Sequence, residues 1–163
     1  MLKKLIIILI AFLCGALATS LYAGYSQGNL AYPLGTVFDT VEKNSPGDWI
    51  NEDQVYIYDS RVVINVKDAK WAAFSDTNSM DPVLDMGANA IEIIPKSEDE
   101  IAVGDIISYT SSFQEGSIIH RVIEKGTDSQ GTYFILKGDN NPSPDPEKVR
   151  FSQVRRVLVA IIY

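Results

Sequence analysis

Beyond residue 24 the chain has no long segment with a helical period. It has only short runs of β-branched and aromatic residues, cut by Gly, Pro, Asp and Asn. Such a chain cannot build a helical bundle and is confined to sheets with tight connections. Val55-Tyr56-Ile57-Tyr58, the polar Asp59-Ser60 and Arg61-Val62-Val63-Ile64-Asn65-Val66 have the form of a β-hairpin. Further strands are expected at 90–94, 105–109, 117–124, 132–136 and 153–163. The last of these is too short to span a bilayer, so it reads as a buried strand. The expected fold class is mainly β, an antiparallel domain in which successive short strands pair.

Before this region stands a run of nineteen uncharged residues, 5–23, preceded by Lys3 and Lys4. About 20 apolar residues are what a helix needs to cross a bilayer. The same run also satisfies a cleaved signal peptide, with a small-x-small pattern at Ala16-Leu17-Ala18. In either case the two lysines favour the cytoplasmic side and direct all that follows out of the cytoplasm. Between the run and the first strand, residues 25–53 are rich in Gly and Pro and read as a connector, with a short structured piece around 36–41.

Charge and cysteine usage remove several function classes. The chain has 14 basic and 21 acidic residues, and without Lys3 and Lys4 the balance is 12 against 21. Arg155-Arg156 is the basic pair of the β region, whereas nucleic-acid binding needs clustered Lys and Arg to neutralise phosphates. No nucleic-acid partner is expected. Cys14 and His120 are the single residues of their types. They exclude an internal disulfide and disfavour a structural zinc site, so no metal and no cofactor is expected.

Three short segments carry side chains suited to acyl transfer: Thr77-Asn78-Ser79-Met80-Asp81-Pro82, then His120, then Lys137-Gly138-Asp139-Asn140-Asn141 with Asp145 beyond it. A serine hydroxyl is a weak nucleophile until a base takes its proton. Histidine, with an unperturbed pKa of about 6.5, can take and return that proton near neutral pH. A carboxylate then fixes the imidazole tautomer. Pro82 constrains the turn after Ser79. The Thr77 hydroxyl and the Ser79 backbone N–H are candidate oxyanion donors. On the strand at 117–124, Ile118 and Val122 share the face of His120 while Arg121 points the other way. The turn at 138–142 would bring Asp145 back toward the sheet. Each residue alone also has an ordinary structural reading: a turn hydroxyl, a strand histidine, a loop carboxylate.

Taken together and in order, the segments resemble the motifs of type I signal peptidases of the archaeal and endoplasmic-reticulum kind. Ser79-Met80-Asp81-Pro82, Gly104-Asp105-Ile106, His120-Arg121-Val122 and Lys137-Gly138-Asp139-Asn140-Asn141 with Asp145 correspond to that family's elements, over roughly residues 74–163. The resemblance implies Ser79 as nucleophile, His120 as general base, and Asp145 as first choice of acid, with Asp139 the alternative in the same loop. It also favours an uncleaved membrane anchor. Two positions depart from the pattern, since Thr77 and Asn78 stand where the family has serine and glycine. The stretch from 24 to 78 is also longer than that family leads one to expect.

The implied protein is a membrane-bound serine endopeptidase that cleaves N-terminal signal peptides from exported preproteins. It would have an anchor over 1–24, an extracytoplasmic connector over 25–53 and a β-rich peptidase domain over 54–163. Its partners would be signal-peptide-bearing preproteins and the lipid bilayer, with further subunits left open. It would sit in the cell membrane as a single-pass protein with a cytoplasmic N-terminus. The alternatives are an exported or anchored non-catalytic β-domain that binds a protein, and a regulatory or self-cleaving serine protease on the same fold. Trp71, Phe74 and Met80 are apolar residues near Ser79 that would meet either lipid or the core.

Overall fold

A computed structural model describes residues Lys43–Tyr163. The anchor expected over 1–24, and the connector as far as residue 42, lie outside the described residues. Among the described residues no helix is long and apolar enough to cross a membrane.

The described chain is mainly antiparallel β, with eight strands and only short 3-10 turns between them. β1 (Val55–Tyr58) and β2 (Arg61–Ile64) form a separate hairpin whose register places Tyr58 opposite Arg61. Its apolar side chains are exposed, Ile57 at 80%, and the Arg61 guanidinium lies 4.8 Å from the Tyr58 ring centre.

The other six strands are β3 (Lys70–Ala73), β4 (Asn89–Ile93), β5 (Ile106–Thr110), β6 (Ser117–Asp128), β7 (Gly131–Lys137) and β8 (Val154–Ile162). They form one sheet in the order β3-β4-β8-β5-β6-β7. The C-terminal strand therefore lies inside the sheet, paired on both edges, which is why its Val157 and Leu158 are buried while Tyr163 just beyond it is exposed.

Side-chain alternation along the central strands divides the core in two. On β5, Ile107 and Tyr109 join Val122, Phe134, Leu136 and Val157 in one cluster. Ile106, one residue out of phase, belongs to a second cluster with Met80, Leu84, Ala90 and Leu158. Burying each such side chain contributes roughly 1.5–3 kcal/mol. Both sides of β5 are covered, and four of its five residues are buried.

β6 positions the site. Its residues 117–121 pair with β5, and its residues 121–128 pair with β7. Residues 117–120 thus have one ladder edge that no described strand occupies. A register shift between Val122 and Glu124 marks the change of partner, as a β-bulge does.

The stretch 43–53, read from sequence as the end of a connector, includes a segment bound to the domain. Asp105, fully buried, accepts hydrogen bonds from the Gly47 N–H at 2.7 Å, the Trp49 indole N–H at 3.0 Å and the Ala102 N–H at 2.8 Å. Trp49 packs against the first core cluster. Gly104 has a φ of +106°, and a Cβ there would lie 2.1 Å from the Ser45 carbonyl oxygen, so only glycine fits beneath this strap.

Candidate functional site

Ser79 lies in the turn between β3 and β4, and several backbone groups hold that turn. Asn78 has a φ of +56°, in the left-handed region where asparagine is tolerated better than most residues. Met80 is buried in the second core cluster and anchors the C-terminal side of the turn. The loop after β7 grips the turn from above. The Asn140 N–H donates to the Ser79 carbonyl at 3.0 Å, the Asn140 side-chain amide donates to the Asn78 carbonyl at 2.9 Å, and the Asp139 N–H points at the Met80 sulfur at 3.4 Å. At Gly138 a Cβ would meet the Ser79 carbonyl oxygen at 2.5 Å and the Asn141 side-chain nitrogen at 2.6 Å. The glycine lets the two loops touch.

His120 is on the stretch of β6 that β7 leaves unpaired, opposite Ile107 of β5. The expected face assignment agrees with the packing, in that Ile118 and Val122 belong to the first core cluster and Ile119 to the second. The imidazole is largely buried, and its Nδ1 lies 2.9 Å from Oδ1 and 2.8 Å from Oδ2 of Asp145. A carboxylate ion only accepts, so a neutral ring facing it carries its proton on Nδ1 and its lone pair on Nε2. The Asp145 N–H bonds the Leu136 carbonyl at 2.8 Å, which returns the loop to the sheet as its turn residues suggested.

The two candidate acids have different partners. Asp145 bonds His120, whereas Asp139 forms a two-point ion pair with Arg121, Nε to Oδ1 at 2.9 Å and Nη2 to Oδ2 at 2.7 Å. The third guanidinium nitrogen donates to the Gly104 carbonyl at 2.8 Å. Lys43 adds a bond to the Asp139 carbonyl at 2.8 Å and lies 3.6 Å from its carboxylate. Burial raises the Asp139 pKa, but the hydrogen bonds and charge of Arg121, with Lys43, outweigh it and hold the group below the usual carboxylate range.

Ser79 and His120 line one cleft of about 440 Å³, together with the apolar Phe74, Met80, Leu84 and Ile119 and the polar Thr77 and Asn141. The Thr77 hydroxyl is 3.1 Å from that of Ser79. Trp71, Phe74 and Met80 separate: Met80 is buried, Phe74 packs against the second core cluster, and Trp71 is 56% exposed. Among the described residues no group of three or more His, Cys, Asp or Glu side chains is placed to hold a metal ion. Chemically, the arrangement offers a hydroxyl and a carboxylate-oriented imidazole lining one cleft, next to a strand edge that no described strand pairs.

Two contributors had no sequence signal of their own. The Tyr109 hydroxyl donates to Asp145 Oδ2 at 2.7 Å, and Lys43 reaches the Asp139 loop. Each contact joins residues far apart in the chain, so no local pattern could announce it.

No family model matches the chain, and no solved structure matches it. A stretch of 44 residues, 27% of the chain, is 48% identical to an uncharacterized protein of Methanocaldococcus jannaschii. The matched stretch spans 22% of that relative's length. The fold and site therefore define a class in structural terms only: an antiparallel β domain with Ser79 and His120 at one cleft and Asp145 bound to the histidine.

Proposed function

We propose that the protein is a membrane-bound serine endopeptidase that removes N-terminal signal peptides from exported preproteins. The observation that carries the proposal is His120, bound to Asp145 through Nδ1 and lining the same cleft as Ser79, since this leaves Nε2 to act as a base. The ordered motifs seen in the sequence and the apolar run behind two lysines support the same reading.

In this scheme the preprotein enters as an extended strand along the edge of residues 117–120 that no described strand pairs, its backbone completing the ladder. Small side chains before the cut fit the side of the cleft formed by Met80, Leu84 and Ile119. Ser79 attacks the scissile carbonyl as His120 takes its proton. His120 then returns the proton to the leaving amine, and water resolves the acyl-enzyme. The Thr77 hydroxyl and the Ser79 N–H are the proposed oxyanion donors. A membrane anchor over 1–24 would confine enzyme and substrate to one surface and raise their effective concentration.

The test uses detergent-solubilised full chain and a membrane preprotein, comparing wild type with Ser79→Ala and His120→Ala. Processing is expected in wild type alone, and processing that persists in both variants would sink the assignment. Intact mass of the purified chain is expected to retain residues 1–24, whereas a mature start at Thr19 or Gly24 would overturn the anchor.

A further inference from the structure

We infer that Tyr109 is a positioning residue of this site: its hydroxyl fixes the Asp145 carboxylate that orients His120. The inference rests on the proposed role of His120 as base. Asp145 comes from a loop, and a carboxylate held by a single imidazole can still turn about its own axis. Its Oδ2 receives two donors, His120 Nδ1 at 2.8 Å and the Tyr109 hydroxyl at 2.7 Å. The second donor comes from the buried core, because Tyr109 is 1% exposed in the first core cluster.

The register explains how the tyrosine reaches the carboxylate. Tyr109 pairs with Ile118 and Ile107 with His120, so Tyr109 and His120 are diagonal neighbours on one face. A register shift against β8 between Ser108 and Tyr109 accompanies that placement, and bulges commonly re-aim a side chain. The groups around the pair are few. Glu147 lies close enough to act on Tyr109 and is itself bound by Ser112 and Gln153. Arg121 is held by Asp139 and Gly104 on the other side of β6. Burial, then the hydrogen bond and charge of Asp145, keep the phenol protonated well above its ordinary range, so it is a donor at every working pH.

A merely structural tyrosine would satisfy its hydroxyl on any acceptor. A positioning one tunes the acceptor that His120 uses. Removing the hydroxyl leaves Asp145 a stronger partner for the imidazolium and a less fixed one for the neutral ring. His120 is the only histidine in the chain, so its ring nitrogens give unambiguous NMR signals in tag-free, full-length protein in detergent.

In Tyr109→Phe the ring-nitrogen signals of His120 are expected to titrate at a higher pH than in wild type. kcat on a preprotein is expected to fall about tenfold with KM little changed, the size of effect associated with losing one hydrogen bond to a charged group. The acid limb of the rate profile should move with the NMR titration, and adding Tyr109→Phe to Asp145→Asn should cost nothing further. An unmoved titration, or a lower melting temperature with rate and pH profile intact, overturns the inference. If wild type processes no preprotein, the functional reading fails while the NMR arm still decides the role of Tyr109. Should Tyr109→Phe not fold, biosynthetic 3-fluorotyrosine keeps the shape and strengthens the donor. The titration should then move down, and no movement overturns the inference.

Discussion

Asp145→Asn and Asp139→Asn separate chemistry from stability, because the same substitution meets two different partners. At Asp145 both oxygens lie within 2.9 Å of His120 Nδ1. An asparagine there fills the same space and keeps one acceptor for Tyr109. Its amide nitrogen, however, facing Nδ1, selects the tautomer with the proton on Nε2, and the base is lost. For a triad acid this change lowers kcat by about 10⁴. The melting temperature should move by only a few degrees. At Asp139 the carboxylate side chain is 2% exposed and the Arg121 side chain 10% exposed. Neutralising one partner of a buried pair leaves the other uncompensated, at a cost of about 3–5 kcal/mol. Asparagine keeps one acceptor, so about 3 kcal/mol is expected, near 10 °C for a domain of this size. Its kcat, measured well below melting, should fall only about tenfold, through loosening of the loop that grips Ser79.

The sign of the pH dependence follows from the depressed pKa of Asp139. The ionised form is favoured by folding, so its stabilisation is present above the unfolded value of about 4 and is lost as pH falls through the lower folded value. Asp139→Asn should flatten the acid limb of stability below about pH 4, whereas Asp145→Asn should alter the acid limb of the rate. Thermal unfolding and preprotein cleavage from pH 3 to 8 read both. If Asp139→Asn abolishes turnover at unchanged stability and Asp145→Asn retains it, the assignment of the two acids is wrong.

Three further substitutions test the surrounding architecture. Thr77→Val removes the hydroxyl 3.1 Å from that of Ser79. If this group stabilises the oxyanion, kcat should fall by about 10²–10³ with KM little changed, as single-turnover kinetics would show. Gly138→Ala places a methyl 2.5 Å from the Ser79 carbonyl oxygen. It must displace the turn that carries Ser79, the proposed nucleophile, so cleavage should fail while the far-UV spectrum stays β-like. Asp105→Ala leaves three donors without their acceptor. At about 1–3 kcal/mol for each buried orphan, partly relieved by water, a loss of about 3–5 kcal/mol is expected in urea unfolding.

Most strands were legible because β-branched and aromatic residues carry a local signal. The hairpin around Asp59-Ser60 and the strands near 90, 106, 117, 132 and 154 formed within a few residues of expectation. β3 gave too weak a signal, since Lys70-Trp71-Ala72-Ala73 has one aromatic and no β-branched residue, and it is held by pairing with β4. β6 runs on past Glu124 through Gly126, which reads as a break. There the Tyr133 ring occupies the space a Cβ would take, 2.5 Å away, and covers the exposed backbone. At the site, the order of Ser79, His120 and the acidic loop was readable. The sorting of Asp139 from Asp145 was not. It depends on strand register, because Arg121 is paired with Lys137 and so meets the first acid beyond β7, while the second returns to Leu136 and to the histidine.

The central claim is that Ser79 carries the acyl group, and mass spectrometry of the intact chain tests it most directly. Full-length protein mixed with excess preprotein and quenched in acid within one turnover should show a gain equal to the acyl form of the released signal peptide. Digestion should map that gain to residue 79, and Ser79→Ala should show neither adduct nor cleaved preprotein. Cleavage at full rate without an adduct in wild type, and with Ser79→Ala still active, would contradict the account.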